Sequence, residues 1–292
     1  MIYICVLNYN NSEDTVECLE SLKKLNSVIY KIILIDNNSS GDTKEILRRY
    51  VDVNQHICYI ESKVNRGYAG GNNLALRYAL SQADMEYCWI LNNDTIVEPD
   101  SLSLLVDYMN HNKHVGLCGS KLIYEWDRSK VQGYGGCYNP VLGTIYSCID
   151  KEDTKDIDYI IGAAVLVRKS FLEDVGLMDE GYFLYYEEMD WAVRARGKYD
   201  IACVEESIVY HKEGASTGAN NAEKNKSILA DYYSIRNRIR FTKKFYPYFL
   251  PTVYIGLILS MVIRICRRQF NRVPMIFKLM LGIKDDRYEF KY

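Results

Sequence analysis

Apolar and polar positions follow two different periods along the first hundred residues. Short apolar runs typical of buried strands occur at residues 2–8, 30–36, 56–62 and 87–91. Between the first two runs, residues 12–25 carry apolar side chains at helical spacing, which predicts a helix. A strand followed by a helix and another strand is the repeating unit of parallel sheets. The pattern therefore predicts an α/β fold whose mostly parallel sheet is flanked by helices.

The pattern becomes less regular after Pro99, a residue that suits the start of a helix. The Tyr- and Gly-rich residues 133–148 predict irregular strands or a hairpin. Regular elements return further along the chain. We expect strands at residues 159–167 and 207–211, and helices near residues 170–176 and from Glu187 onward.

The C-terminal fifth of the chain differs from the rest in charge. Residues 232–284 contain eleven Lys or Arg and no acidic residue, although the whole chain has a net charge of -2. Within them, residues 245–263 carry no charge, which is close to the length of a membrane span. Prolines and flanking positive charge on both sides favour instead a pair of interfacial helices, the second at residues 273–283, that bind an anionic membrane surface.

Two other roles for this apolar segment follow from the same composition. Its apolar face could pack against the rest of the chain, or against a second copy in a homo-oligomer. Nucleic acid is a poor partner, because the segment is too apolar for a surface that follows phosphates. We expect residues 1–230 to form the main domain, with halves at about 1–97 and 98–230, and residues 231–292 to form a basic helical extension.

Composition limits the kinds of protein to which the chain can belong. With 292 residues, 48% of them hydrophobic, the chain can bury a large core. Its nine cysteines include no C-x-x-C pair, so we expect neither a disulfide framework nor a zinc cluster. The N-terminus lacks the pattern of a signal peptide. A reducing cytoplasm is the compartment that these features favour.

Polar residues follow each of the first four predicted strands. These groups are Asn8, Asp36, residues 61–65 and residues 92–94. The carboxyl ends of parallel strands meet at one edge of a sheet, where open α/β folds bind ligands. Asp36 could accept hydrogen bonds from a nucleobase or ribose, or could only start a turn. The glycines after Asn65 could bring backbone amides close to a phosphate, or could form a plain turn.

Carboxylates and one histidine are the candidates for chemistry. Asp94 could bind a hard divalent cation shared with substrate phosphates, or stabilise a turn. Glu187 and Glu188 open a predicted helix behind the aromatic run GYFLYY, so they are either helix-capping groups or a general base with a raised pKa. His211, at a strand end, is a metal ligand only if the fold brings it near Asp94.

Six segments in order carry a resemblance to a known family. They read VLNYNN, IDNNSSGDT, NRGYAGGNN, LNNDT, GAAVLVRKSFLEDVGLMDEGYFLYYEEMDWAVRARG and VYHKEGAST. Together they resemble the family 2 glycosyltransferases, particularly the rhamnosyltransferase-like branch that builds bacterial surface polysaccharides. The resemblance spans roughly residues 1–245 and implies a Rossmann-like GT-A fold, a nucleotide-sugar donor, a divalent metal (Mn²⁺ or Mg²⁺) and inversion at the anomeric carbon.

The resemblance also implies roles for individual positions. Asp36 matches the aspartate that contacts the nucleobase, and Asn65, Gly67 and Gly71 match the segment that lines the nucleotide. Asp94 matches the last aspartate of the D-x-D metal motif, in which this chain has Asn92 at the first position. Glu188 matches the catalytic base, with Glu187 before it, and His211 matches a second metal ligand. Asn8 and Asn93, which end strands beside these positions, complete the expected nucleotide-binding set, listed as Asn8, Asp36, Asn65, Gly67, Gly71 and Asn93.

The expected function is transfer of a hexose from a UDP- or dTDP-sugar, such as dTDP-rhamnose, to a saccharide or polyprenyl-linked acceptor at the inner face of the cell membrane. The alternative is a catalytically silent subunit that binds a nucleotide sugar and recruits a partner through its C-terminal helices. An NAD-dependent oxidoreductase is excluded, because the glycines do not follow the dinucleotide pattern.

Overall fold

The structure is a computed structural model, and it describes residues 1–150, 157–212, 227–285 and 287–289. The last part of the VYHKEGAST motif, residues 213–217, lies outside the described residues. Eleven strands are present in the described ranges: Ile2–Asn8 (β1), Tyr30–Asp36 (β2), Ile57–Glu61 (β3), Tyr87–Asn92 (β4), Thr95–Val97 (β5), Val115–Tyr124 (β6), Val131–Gly133 (β7), Gly135–Asn139 (β8), Thr144–Cys148 (β9), Ala164–Arg168 (β10) and Asp200–His211 (β11).

Nine α-helices connect or follow these strands in the described ranges. They are Ser12–Leu22 (α1), Thr43–Val53 (α2), Gly67–Leu80 (α3), Ser101–His111 (α4), Lys169–Val175 (α5), Glu187–Ala195 (α6), Ile228–Phe245 (α7), Leu250–Cys266 (α8) and Arg272–Met280 (α9). Short 3₁₀ turns at Glu180–Tyr182 and Pro247–Phe249 precede α6 and α8. The predicted strands and helices of the first hundred residues are confirmed, with ends shifted by a few residues.

A nine-stranded sheet forms the centre of the fold, in the order β3-β2-β1-β4-β10-β6-β11-β5, with β7 paired to β6. The strands β3, β2, β1 and β4 are parallel, as the alternation of strands and helices predicted. Beyond β4 the sheet is mixed, since β10 runs antiparallel to both of its neighbours. The parallel half therefore places the ends of β1, β2, β3 and β4 at one edge.

Apolar clusters cover both faces of the sheet. One face packs against α1, α2 and α4, through residues such as Leu19, Leu47 and Leu105. The other packs against α3, α5 and α6, through residues such as Leu76, Phe171 and Trp191. Burial of both faces explains why the central strands read as continuous apolar runs.

The Tyr- and Gly-rich segment forms a hairpin of β8 and β9, which confirms one of the two predicted forms. Cys137 and Cys148 pair across this hairpin as a disulfide. This pair was missed, because ten residues separate the two cysteines and no spacing motif marks them. The other seven cysteines are free thiols.

The three C-terminal helices pack together around an apolar cluster. That cluster joins α7, α8 and α9 to Phe183, with Leu184 and Tyr185 packed against it. Helix α7 is mostly buried, whereas α8 buries only Val253 and Leu257. The expected division after residue 230 falls near the start of α7, and it stays a prediction.

Candidate active site

The polar strand ends lie side by side at the edge of the parallel half. Asn8 at the end of β1 is in register with Asp36 of β2, and Asp36 is in register with Glu61 of β3. On the other side of β1, Leu7 is in register with Asn92 of β4. The sheet therefore brings four distant parts of the sequence to one edge, as expected for a ligand site.

Asn8 and Asp36 belong to a buried hydrogen-bond network. The Asn8 amide Nδ2 donates to Asp36 Oδ1 at 2.9 Å and to Ser39 Oγ at 3.0 Å. The Ser39 backbone N–H donates to Asp36 Oδ2 at 3.0 Å, and Thr15 Oγ1 donates to Asn8 Oδ1 at 2.9 Å. Both Asn8 and Asp36 are fully buried. Contact between Asp36 and a nucleobase would require the loop after β2 to move away from the carboxylate.

Asn37 connects this loop to the start of α3. Its Nδ2 donates to Asn65 Oδ1 and to the Gly67 carbonyl, both at 3.0 Å. Its Oδ1 accepts the Arg66 backbone N–H at 2.9 Å. Asn37 lies next to Asp36 in the sequence, but only the fold shows that it fixes the predicted nucleotide-lining segment.

At two of the predicted positions, Gly67 and Gly71, neighbouring atoms leave no room for a side chain. A Cβ on Gly67 would lie 2.1 Å from the Phe183 carbonyl oxygen, and the backbone there has a φ of +65°. A Cβ on Gly71 would lie 2.5 Å from Leu7 Cδ1. These contacts hold α3 against β1 and against the residues before α6, so they shape the site whether or not the glycines touch a nucleotide.

The turn between β4 and β5 carries Asn93 and Asp94. The Asn93 amide Nδ2 donates to Thr15 Oγ1 at 3.0 Å and to the Asn11 carbonyl at 3.3 Å. Asn93 is buried, and these bonds attach the turn to α1. Its predicted contact with a nucleotide therefore stays a prediction, while its structural role is visible.

Asp94 and His211 lie in direct contact, although they are remote in the sequence. His211 Nε2 lies 3.2 Å from Asp94 Oδ1, and both side chains are mostly buried. The contact follows from the sheet, because His211 of β11 is in register with Thr95 of β5, one residue after Asp94. Asn92 Nδ2 lies 3.4 Å from the same His211 nitrogen. The fold therefore brings His211 near Asp94, as a shared metal site would require.

Gln132 contacts the ring nitrogen of His211 that does not face Asp94. Its Oε1 lies 2.9 Å from His211 Nδ1. A carbonyl oxygen only accepts hydrogen bonds, so Nδ1 carries a proton and donates it to Gln132. The lone pair or second proton of the ring is then on Nε2, which faces Asp94 Oδ1. Gln132 lies on the short edge strand β7, and nothing in its sequence context marked it.

Glu187 and Glu188 occupy the first turn of α6. Burial raises the pKa of Glu187 well above its usual value, and the charge of Glu188 raises it further. Burial also raises the pKa of Glu188, although a hydrogen bond from the Gly162 backbone opposes the change. Glu187 is 1% exposed, whereas Glu188 is only partly buried. Of the two residues, Glu188 is the more exposed one.

A chain of contacts joins Glu188 to the Asp94 turn. A Cβ on Gly162 would lie 2.4 Å from Glu188 Oε1, so the carboxyl group packs directly on this residue. The next residue, Ala163, accepts the Asn92 backbone N–H at 3.0 Å. Tyr68 of α3 donates its hydroxyl to the Gly162 carbonyl at 2.6 Å. Gly162 and Ala163, just before β10, thus link three predicted parts of the site. These are the base Glu188, the turn that carries Asp94, and the nucleotide-lining start of α3.

The segment before α6 has an unusual backbone. Phe183, Tyr185 and Tyr186 all have positive φ values, of 61°, 69° and 75°. Such conformations cost on the order of 1–3 kcal/mol each and persist only where surrounding contacts hold them. Asn237 of α7 supplies such contacts, because its buried Nδ2 donates to the carbonyls of residues 182, 184 and 185 at 2.7 to 3.0 Å.

Ion pairs at Asp190 stabilise the position of α6. Asp190 accepts a hydrogen bond from Arg194 Nε at 2.6 Å, one turn further along the same helix. Lys244 of α7 also contacts Asp190, at 2.5 Å. These contacts leave Asp190 with a structural role and fix the direction of the helix that carries Glu188.

Residues 3–176 match the sequence profile of the family described as Glycosyl transferase family 2. The match covers more than half of the 292-residue chain. The chain belongs to glycosyl transferase family 2. The family expected from the six segments is therefore confirmed.

Two curated relatives of this glycosyltransferase are similar over about two thirds of its chain. The low-salt glycan biosynthesis hexosyltransferase Agl10 of Haloferax volcanii is 26% identical over 202 residues, 66% of this chain and 61% of the relative. The rhamnosyltransferase WbbL of Escherichia coli K12 is 28% identical over 211 residues, 66% of this chain and 76% of the relative. The match with Agl10 thus spans less than two thirds of that protein.

A solved structure with a similar fold is the mannosyltransferase PcManGT from Pyrobaculum calidifontis in complex with GDP-Man and Mn²⁺. It has a TM-score of 0.58 and 13% identity, and the alignment covers 96% of this chain and 86% of that one. The likeness extends over the C-terminal helices as well as the sheet. It confirms the predicted GT-A fold of this glycosyltransferase.

The close approach at Gly67 leads to a prediction about stability. Gly67→Ala should destabilise the glycosyltransferase more than Gly41→Ala, because both glycines have φ near +60° but Gly41 has no atom within 4 Å of the added Cβ. A residue with a Cβ pays roughly 1–2 kcal/mol for this conformation at either site. We expect at least about 1 kcal/mol more at Gly67 from the clash. Urea unfolding of the two variants measures the difference, and equal losses would contradict the close approach.

Proposed function

We propose that this glycosyltransferase moves a hexose from a nucleoside-diphosphate sugar to a saccharide or lipid-linked acceptor, with inversion, in the synthesis of a surface polysaccharide. The observation that carries the proposal is the contact of Asp94 with His211, connected through Asn92, Ala163 and Gly162 to Glu188. The similarity to Agl10 and WbbL, a hexosyltransferase and a rhamnosyltransferase, supports the donor class. A dTDP- or UDP-sugar, such as dTDP-rhamnose, is the donor we expect.

The Asp94 and His211 side chains fit a divalent metal. Bonds of about 2.0 to 2.2 Å from a metal to nitrogen and oxygen place neighbouring ligand atoms about 3 Å apart. The 3.2 Å between His211 Nε2 and Asp94 Oδ1 agrees with that spacing.

The protein supplies few ligands to such a metal. Among the described residues, no group of three or more His, Cys, Asp or Glu could hold a metal ion. Mg²⁺ and similar ions are commonly held by one or two protein side chains together with substrate phosphates and water. Mn²⁺ or Mg²⁺ bound here would offset the negative charge of the departing nucleoside diphosphate. PcManGT, with GDP-Man and Mn²⁺, supports this choice of metal.

Glu188 is the proposed general base. Its carboxylate would accept the proton of the acceptor hydroxyl as that oxygen attacks the anomeric carbon, and the bond to the diphosphate breaks on the opposite side of that carbon. Such proton transfer contributes roughly 10²- to 10⁴-fold to rate. Glu187, buried behind it, is the member of the pair with the larger rise in pKa, which favours one negative charge rather than two at the pair.

The exposed apolar face of the C-terminal helices supports binding at the cytoplasmic face of a membrane. Residues 247–266 form the one segment within the described ranges that is long and apolar enough to cross a bilayer, and little of it is buried. Exposed apolar side chains continue onto and beyond α9, for example Phe277 and Leu281. Basic residues beside these surfaces, including Arg267 and Arg268, suit an interfacial position on anionic lipid.

Replacement of the proposed base gives the first functional prediction. Glu188→Gln should lower kcat by roughly 10²-fold or more, because the amide cannot accept the proton. Binding of the nucleoside diphosphate should stay within about twofold of the parent value, as measured by calorimetry. In the parent enzyme, kcat should fall as pH drops through the raised pKa of Glu188, above the usual value of 4.5. A turnover rate in Glu188→Gln equal to that of the parent would exclude Glu188 as base.

The contact of Gln132 with His211 gives a prediction about metal affinity. Gln132→Leu removes the acceptor that holds the proton on Nδ1, and loss of such a partner typically weakens metal binding about 10- to 100-fold. Gln132→Glu keeps an acceptor at the same position and should retain Mn²⁺ binding. Titration followed by the EPR signal of free Mn²⁺ measures both variants. Gln55→Leu, at an exposed glutamine, is the matched control, and equal affinity in Gln132→Leu would contradict this role.

The membrane proposal predicts the effect of charge on the exposed face of α8. Ile258→Glu with Val262→Glu should abolish flotation with anionic vesicles, because both side chains are about half exposed on this face. Val53→Glu, at an even more exposed residue of α2, is the control and should float as the parent does. Undiminished flotation of the α8 double variant would contradict membrane binding through this helix.

A further inference from the structure

A cationic cavity lies between α7 and the end of α9, apart from the strand ends that form the site described above. Its volume is about 460 Å³, a size typical of small-molecule sites. Five basic side chains line it together with aliphatic residues such as Ile283: Arg236, Arg240, Lys243, Lys244 and Lys284. The proposed transfer reaction uses none of them directly.

Within the part of the chain that the structure describes, the positive charges of this cavity exceed the negative charges that contact them. Asp179 contacts Arg240 and Lys244, both at 3.1 Å. Asp190 contacts Lys244 but is shared with Arg194 of α6. Among the described residues, three carboxylates (Asp179, Asp190 and Glu289) contact this group of five basic side chains, which leaves an excess of two positive charges.

Glu289 contacts two of the basic residues that line the cavity. It contacts Arg236 Nε at 3.0 Å and lies 3.7 Å from Lys284 Nζ. Lys284 keeps 65% of its side chain exposed. Lys243 is exposed and has no ion-pair partner among the described residues. The two lysines therefore have the freedom to bind an added anion, and an anion with two negative charges would balance the excess.

The surroundings of the cavity indicate where such an anion comes from. Ile283 lines the cavity and is 50% exposed, and Leu281 beside it is 61% exposed. These side chains continue the apolar surface of α8 and α9 that we propose to contact the membrane. An anionic group in the cavity would thus lie next to the lipid phase, with space for an attached hydrocarbon chain along the apolar rim.

The same basic residues contact the segment that leads into the proposed base. Arg236 Nη1 donates to the Gly181 carbonyl at 2.9 Å. Arg240 and Lys244 contact Asp179, and Lys244 reaches Asp190 of α6. A ligand of the cavity would therefore be separated from the helix of Glu188 by a single layer of ion pairs.

We propose that this cavity binds the phosphate or diphosphate group of a membrane-borne amphiphile, the chemical class to which a lipid-linked acceptor belongs. The excess charge recognises the phosphate, and the apolar rim recognises the chain that carries it. The proposal rests on the proposed membrane position of α8 and α9, but it concerns different residues, so the two can fail separately.

The test compares two anionic lipids in flotation with phosphatidylcholine vesicles. Phosphatidic acid presents a terminal phosphate, whereas phosphatidylglycerol presents a phosphodiester of lower charge. We expect the parent protein to bind vesicles with phosphatidic acid at least 10-fold more tightly. The variant Lys243→Glu with Lys284→Glu should bind both kinds of vesicle alike, because it replaces the two exposed lysines by carboxylates. Lys24→Glu with Lys198→Glu, at exposed lysines elsewhere, should keep the parent preference.

Soluble ligands test binding to the cavity in the absence of a membrane. Calorimetry with farnesyl diphosphate should show binding to the parent that the Lys243→Glu with Lys284→Glu variant loses, while inorganic pyrophosphate should bind more weakly because it has no chain. Equal binding of the two ligands would mean a site for free phosphate and contradict the amphiphile. A preference for phosphatidic acid that is absent, or unchanged in the variant, overturns the cavity proposal. Loss of all flotation with farnesyl diphosphate binding retained overturns only the membrane position.

Discussion

The pairing of β5 with β11 is the constraint on which the site depends. This short antiparallel pair places His211 beside Thr95, and so beside Asp94. Asn92 and His211 are 119 residues apart in the sequence, yet their side chains lie within 3.4 Å. No local propensity produces this contact, because it arises only when the second half of the sheet closes against the first. A change of register by one residue would turn His211 to the opposite face.

The sequence was sufficient to predict the parallel half of the fold and to identify most of the polar residues at its strand ends. The apolar runs of β1 to β4 and the helices between them repeat a simple alternation, and residues at strand ends need no long-range information to be recognised. The sequence could not show that Asn8, Asp36 and Asn93 are held in internal hydrogen bonds, because those partners come from other strands and from α1.

Residues that orient others were the ones that sequence reasoning missed. Gln132 lies on a three-residue edge strand with no periodic signal, and Gly162 matters for the close contact that its missing side chain permits. Asn237 lies in a segment whose composition indicated only basic charge and apolar surface. Its three hydrogen bonds to backbone carbonyls show that α7 supports the strained residues before α6, so α7 is part of the framework of the candidate active site.

The proposed membrane surface and the proposed catalytic residues are joined through that framework. Phe183 packs in the same apolar cluster as α7, α8 and α9, and its carbonyl accepts the Tyr68 backbone N–H at 2.7 Å. The helices proposed to lie on lipid therefore contact the residues between the nucleotide segment and Glu188. This arrangement would let one rigid unit hold a soluble donor on one side and a lipid-borne acceptor on the other.

The most direct test of the convergence of Asp94 and His211 is pulsed EPR of Mn²⁺ bound to the protein together with a nucleoside diphosphate. Electron spin echo modulation should show one coupled histidine ¹⁴N, and that coupling should disappear in His211→Ala while phosphorus coupling from the diphosphate remains. Modulation from phosphorus alone in the parent protein, with no nitrogen coupling, would contradict the account.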